Sequence, residues 1–320
     1  MPELVEGLPF FLLQVLKRRR EGFDKLSQAG GGMSEWFIGV LGGSGLYGVD
    51  TLEDAEWQTV DTPWGAPSDQ ILTGTIAGTR FAFLPRHGRG HPISPSELNY
   101  RANIDALKRL GCTDLIALSA VGSLREELPP GRFVVVDQFI DNTKLRTNSF
   151  FGSGLVAHVS MADPVCPRLA GFAAVAATRA GAEVTEGGTY VAIEGPQFGT
   201  RAESHMVRAW GADVIGMTGM PEARLAREAE FPYALVAMVT DYDCWRSDEA
   251  HVEVDEVLRV MHANADIARR TVAEFARLLP KTRAPSAIDT CLDVAIVTSP
   301  DARDPALIAK LDAVAGRVLR

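Results

Sequence analysis

Between Phe83 and Leu124 the chain commits itself to one kind of fold. An apolar run ends at Pro85-Arg86-His87-Gly88, and the stretch from Ser96 to Leu110 has helical spacing. A second apolar run from Asp114 to Leu118 then ends at Ser119-Ala120-Val121-Gly122-Ser123. Strand, helix and strand in that order predict an α/β protein. The two strand ends offer a guanidinium, an imidazole, a hydroxyl and backbone amides loosened by glycine. Ligands in open α/β sheets sit outside the carboxyl ends of strands. An anion with three or four oxygens suits that set.

The same alternation runs through most of the chain. Trp36–Leu41 reads as a buried strand stopped by Gly42-Gly43, Asp61–Gly65 as a turn, and Ile71–Ile76 with Arg80–Leu84 as a hairpin. Further strands are expected at Phe133–Val136, Tyr190–Ile193, Val214–Met217 and Tyr233–Thr240. Helices are expected at Pro167–Gly181, Arg201–Trp210, Pro221–Ala229 and Val252–Leu279. The prediction is a single domain over residues 33–280, a mixed, twisted central sheet flanked by helices. Residues 281–320 read as a linker and a helical tail, with Asp304 as N-cap and Pro305 at the first helical position. Residues 1–32 precede Met33 behind Gly30-Gly31-Gly32, and read as an extension that the native protein need not include.

Bulk charge narrows the partners. The 320 residues carry a formal net charge of −9, which argues against binding nucleic acid or an anionic membrane through bulk charge. An anionic substrate must then be held by local donors. The apolar run Leu8–Leu16 is about half the ~20 residues that a membrane span needs. Its basic cluster, Lys17 to Arg20, follows it, whereas a secretory signal carries its charge first. Cys112, Cys166, Cys244 and Cys291 are widely spaced and read as free thiols in a reducing compartment. A cytoplasmic protein is expected.

Further segments carry chemistry. Gly43-Ser44-Gly45-Leu46-Tyr47-Gly48 matches GxGxxG after a strand, but no long amphipathic helix follows, as a dinucleotide site needs. A structural turn and a phosphate turn using the Ser44 hydroxyl both remain open. At Arg86, a planar fork suits phosphate because it donates two parallel hydrogen bonds; His91 reads as a loop-stabilising histidine. Glu194-Gly195-Pro196-Gln197-Phe198 is a turn whose Phe198 suits either core packing or the face of a flat ring, while Met217 and Thr218 end another strand. Finally, Asp241 and Asp243 follow the strand Ala234–Val239. They fit a helix cap or surface turn, or a clamp on a purine edge, where a protonated carboxyl gives a proton to N7 and an ionised one accepts from a 6-amino group. Metal spacing is lacking.

Assembled, these residues resemble the purine nucleoside phosphorylase superfamily. The motifs are GGSGLY, PRHGRGH, NYRANIDAL, SAVGSLREEL, DQFID, IEGPQF, RAES, WGADVIGMT and DYDCW, running from about Ile38 to Leu279. The resemblance implies that Ser44, Arg86, His87, Ser119, Ala120 and Thr218 hold phosphate. It also implies that Met217 lies near the ribose, Phe198 stacks on the base, and Asp241 and Asp243 read the adenine edge. Phosphorylases of 6-oxopurines carry an Asn in this loop, so the Asp pair argues for a 6-aminopurine. Val252 and Val254 would face a 5′-methylthio group, where oxopurine enzymes place a His for a 5′-hydroxyl. His251, just before Val252, could loosen that selectivity.

The reaction implied is phosphorolysis of a 5′-methylthio-6-aminopurine nucleoside. Asp241 would be the acid, its carboxyl raised by burial and by Asp243. No cofactor or metal is expected, with inorganic phosphate as co-substrate. The family is typically trimeric, His158 matches a residue lent by the neighbouring subunit, and the C-terminal helix often closes over the pocket. The rival readings are a phosphorylase of methylthioinosine or of purine nucleosides in general, and a non-catalytic nucleotide-binding module.

Overall fold

The computed structural model describes residues 35–43, 51–246 and 254–319, with the side chains of 254–258 left aside. The extension at 1–32, Ser44 with the rest of its glycine turn, His251 and Val252 lie outside the described residues, as does the Val254 side chain.

Among the described residues eleven strands form one sheet. They are β1 (Phe37–Gly42), β2 (Glu53–Gln58), β3 (Ile71–Ile76), β4 (Thr79–Pro85), β5 (Asp114–Ser123), β6 (Phe133–Val135), β7 (Gln138–Asn142), β8 (Val184–Glu186), β9 (Thr189–Ile193), β10 (Val214–Gly216) and β11 (Tyr233–Asp241). The helices are α1 (Tyr100–Arg109), α2 (Pro167–Arg179), α3 (Arg201–Ala209), α4 (Gly219–Glu228), α5 (Val254–Leu278), α6 (Pro305–Lys310) and α7 (Gly316–Leu319). The main path runs β2-β3-β4-β1-β5-β10-β9-β7, and β11 branches from β5 toward β6 and β8. Strands β4, β1, β5 and β11 are parallel to their neighbours in that group. Their carboxyl ends therefore meet on one edge of the sheet.

Strand β5 creates the opening. Its first residues, Asp114 to Ala117, pair with Ile38 to Leu41 of β1. On the same edge β10 joins, antiparallel, only at Gly122 and Ser123. Between Ala117 and Gly122 that edge has no strand partner, so the backbone of residues 118–121 faces a gap. The strand direction reverses there, which is where an α/β sheet is expected to hold its ligand.

Both faces of the sheet are covered. Along β1 the side chains alternate, with Phe37 and Leu41 on one face and Ile38 and Val40 on the other. The first face packs against Ile104 and Leu107 of α1 and Leu225 of α4. The second packs against Leu169 of α2 and Val272 and Phe275 of α5.

Element boundaries shift for local reasons. The first helix begins at Tyr100 rather than Ser96 because Asn99 caps it, its side chain accepting the Ala102 N–H at 3.1 Å. Met220 breaks the start of α4 with φ −122 and ψ 138, since a residue before proline is driven out of the helical region. Strand β5 continues to Ser123, five residues beyond the expected Leu118. The 281–320 segment departs more from expectation. Leu292, Leu311, Val314 and Ala315 are buried in the first core. Arg283 pairs with Asp114 and with Asp289, and Arg317 donates to Glu230 at 2.8 Å. The tail is part of the body, and none of its described residues lines the cavity at the strand ends. Leu311→Ala should therefore lower unfolding stability by about 2–5 kcal/mol, as buried leucine truncations do. Urea unfolding measures it, and a change near zero would show that the tail only rests on the surface.

Candidate active site

The gap beside β5 opens into a cavity of about 300 Å³ at the carboxyl ends of the parallel strands, within the size range of small-molecule sites. Of the expected residues, Arg86, His87, Ser119, Ala120, Met217, Thr218, Phe198, Asp241 and Asp243 all line it.

Two hydroxyls form one end. Ser119, on the stretch of β5 whose one edge is open, lies 3.2 Å from the Thr218 hydroxyl. The Tyr190 hydroxyl accepts the Thr218 N–H at 3.2 Å and sits 3.4 Å from Ser119. Beside them stand Arg86 and His87, where β4 stops at Pro85. Burial pushes the His87 imidazole down to about 4 although it hydrogen-bonds the Ile93 carbonyl, and the Arg86 charge acts in the same direction. His87 is therefore neutral at pH 7. Its Nδ1–H is donated to the Ile93 carbonyl at 2.9 Å, which leaves Nε2 as an acceptor. His91 stacks on His87 with ring centroids 4.1 Å apart and also lines the cavity.

Arg86 corrects an expectation. Its Nε–Nη2 edge is taken by Glu222 of α4, with Nε 2.7 Å from Oε2 and Nη2 3.1 Å from Oε1, so that edge is not open to phosphate. The carboxylate partner lies 136 positions further along the chain, where no local signal marks it.

The carboxylates form the other end. A bulge between Val239 and Asp241 leaves Thr240 as an extra residue in β11. The Thr240 hydroxyl lies 3.1 Å from the Val121 carbonyl and 2.6 Å from Asp241 Oδ2, either of which can accept its single hydrogen. The Asp243 N–H donates to Asp241 Oδ1 at 2.7 Å, and Asp243 sits at φ 52. The pair packs on Gly122, where an added Cβ would stand 3.1 Å from Asp241 Oδ1. The Asp243 carboxyl is raised, first by burial and also by neighbouring Asp241, against the Ser204 hydroxyl and the Cys244 N–H. Ser204, fully buried on α3, hydrogen-bonds Asp243 Oδ2.

The remaining wall is pinned by a residue that sequence reasoning missed. Arg146 is buried and donates to the carbonyls of Ile193 (3.1 Å) and Glu194 (2.6 Å) at the end of β9 and of Met220 (2.8 Å) at the start of α4. It thereby joins the two loops that carry Phe198 and Met217. Burial alone would raise Glu194, but the Ser96 hydroxyl and the N–H groups of Lys144 and Leu145 hold it down to about 2. Gly195 turns at φ 66 beside the Met217 sulfur, a conformation that glycine adopts without strain. Phe198 is 85% exposed at the cavity mouth, an open platform rather than a core residue. His158 is not among the cavity-lining residues; it is exposed, and its N–H donates to the Ala295 carbonyl at 2.8 Å.

Comparison with known proteins agrees with this geometry. The profile described as the phosphorylase superfamily matches residues 37–277. An S-methyl-5′-thioadenosine phosphorylase from Cereibacter sphaeroides is 59% identical over 88% of this chain and 98% of its own. One from Bradyrhizobium diazoefficiens is 56% identical over 90% of this chain and all of its own. Among solved structures, a methylthioadenosine phosphorylase from an antarctic soil metagenomic library superposes with a TM-score of 0.82 at 46% identity, covering 88% of this chain and 99% of that one. The methylthioadenosine phosphorylase of Schistosoma mansoni in complex with tubercidin gives a TM-score of 0.71 at 40% identity over 76% of this chain and 92% of that one.

Proposed function

This chain belongs to the phosphorylase superfamily, and we propose that it catalyses phosphorolysis of S-methyl-5′-thioadenosine to adenine and 5-methylthioribose 1-phosphate. One observation carries the reading. A single cavity holds a hydroxyl pair with Arg86 and His87 at one end and a carboxylate pair at the other. That spacing of chemistries suits an anion attacking a sugar whose leaving group is a purine.

Phosphate would take hydrogen bonds from Ser119, Thr218 and Arg86, and a P–OH would donate to the free Nε2 of neutral His87. Fixed donors position the anion below C1′ and stabilise the positive charge that grows on the sugar. Asp241 and Asp243 would hold the base edge and supply the proton that makes the purine a good leaving group. Met238, Met261 and Ala265 add apolar lining to the cavity, a surface suited to a methylthio group. No metal or further cofactor enters this mechanism, and we take the enzyme to work in the cytoplasm.

The exposed Phe198 and the 83% exposed Leu145 lie beside Glu194, and His158 stands away from its own chain's cavity. These features suit a homotrimer in which a neighbouring copy covers the site, which light scattering would test.

The assay is purine release with and without phosphate from methylthioadenosine, adenosine and inosine. Release should require phosphate. Burying a thiomethyl group at ~0.8 kcal/mol per CH₂-sized unit should favour methylthioadenosine over adenosine by about tenfold. Preference for inosine would overturn the carboxylate clamp. Release without phosphate would overturn phosphorolysis.

A further inference from the structure

We propose that Glu222 is a positioning residue for the anion: it locks the Arg86 guanidinium so that one Nη1–H remains for phosphate, and Tyr233 orients Glu222 in turn. The inference rests on the assignment of phosphate to the Arg86 end of the cavity.

A guanidinium has five N–H donors. In Arg86 the Nε–H goes to Glu222 Oε2 at 2.7 Å. The two Nη2 hydrogens go to Glu222 Oε1 at 3.1 Å and to the Leu41 carbonyl at 3.2 Å. One Nη1 hydrogen goes to the Leu118 carbonyl at 3.3 Å. One donor is left, on a side chain that lines the cavity beside Ser119. The carbonyl acceptors belong to β1 and β5, so three elements of the fold fix the plane of the guanidinium.

Arg86 and Glu222 are each only 1% exposed, and a lone charge at such depth is strongly disfavoured. Glu222 thus does two things. It neutralises Arg86, so the anion is recognised by directed donors rather than by an open cation that would also retain the phosphorylated product. It also fixes which donor points outward. Tyr233, on β11 and 1% exposed, donates its hydroxyl to Glu222 Oε1 at 2.9 Å. That bond holds the carboxylate in the plane of the fork.

The test is steady-state kinetics in phosphate and in nucleoside for Arg86→Lys, Glu222→Gln, Tyr233→Phe and the Arg86→Lys/Glu222→Gln double variant, each checked for native circular dichroism. Glu222→Gln keeps the shape but sets an amide NH₂ against the fork. It should raise the phosphate KM about tenfold or more while the nucleoside KM stays within about twofold. Tyr233→Phe should move the phosphate KM the same way, by about threefold. Because Glu222 acts through Arg86, the double variant should be no worse in phosphate KM than Arg86→Lys alone. If Arg86→Lys raises the phosphate KM and neither Glu222→Gln nor Tyr233→Phe does, positioning by Glu222 is wrong and the phosphate assignment stands. Multiplying effects in the double variant would also overturn it. Should Glu222→Gln fail to fold, Tyr233→Phe decides alone. An unchanged phosphate KM in Arg86→Lys would remove the phosphate assignment itself.

Discussion

Asp241→Asn is expected to lower kcat for methylthioadenosine by about 10²–10⁴-fold, the range that a positioned general acid supplies, with the phosphate KM little changed. The substitution should preserve the local structure. The carboxamide oxygen can still accept the Asp243 N–H, and its NH₂ can donate to the Thr240 hydroxyl, which keeps its own bond to the Val121 carbonyl. What is lost is the ability to carry a proton to the leaving purine. Burial raises the Asp243 carboxyl beside it, so that carboxyl keeps its proton to a higher pH. Wild-type kcat should accordingly fall as pH rises through the raised Asp243 titration, because the protonated form is the active one. A variant retaining kcat within about threefold would remove the pair from the chemical step. Asp243→Asn reads the other role. Its NH₂ can face a 6-oxo group, so the ratio of 6-amino to 6-oxo turnover should drop.

Much of this site is visible in the sequence because of where its residues sit. Each stands where an apolar run stops: Arg86 after Phe81–Leu84, Ser119 after Leu115–Leu118, Asp241 after Leu235–Val239. A polar residue at the end of a buried strand has little to do in the core, so it marks the ligand edge. The hairpin of β3 and β4 is equally plain from its alternation. Partners supplied by distant segments are not visible. Nothing near Arg86 announces Glu222, and nothing around Lys144-Leu145-Arg146 announces that Arg146 will tie two cavity loops together. Ser204 lies in the RAES motif, but its hold on Asp243 needs the fold. Strand β2 escapes a reading by apolar runs because Glu53-Asp54-Ala55-Glu56-Trp57-Gln58 is a charged, largely exposed edge strand, the composition that protects an edge from pairing. The tail departs from expectation because its apolar residues are spread thinly over short helices. Their burial comes from the helices they meet rather than from a periodic face.

Glu228→Gln is expected to flatten the dependence of stability on pH. Glu228 ends α4 and is 7% exposed. It accepts the Phe150 N–H at 2.6 Å and the Ser149 hydroxyl at 2.7 Å. Burial nevertheless dominates and pushes its carboxyl from the ordinary 4.5 up to about 7, and the negative end of the helix acts in the same direction. In the folded chain this group therefore holds its proton over a range where the unfolded chain has released it. Its contribution to stability is complete below about pH 4.5 and is lost as pH rises to about 7. Across that window the loss is as much as about 3 kcal/mol, at about 1.36 kcal/mol for each tenfold change in proton affinity. Glutamine has the same shape and no charge. Its carbonyl can accept from Phe150 and its NH₂ can donate to the Ser149 oxygen, so both bonds survive. At pH 4 the variant should match the wild type, and at pH 8 it should be the more stable of the two. Urea unfolding at the two pH values measures the difference directly. Equal pH slopes in the two proteins would mean that Glu228 is already ionised in the native state, held so by the Ser149 and Phe150 donors and the Arg224 charge.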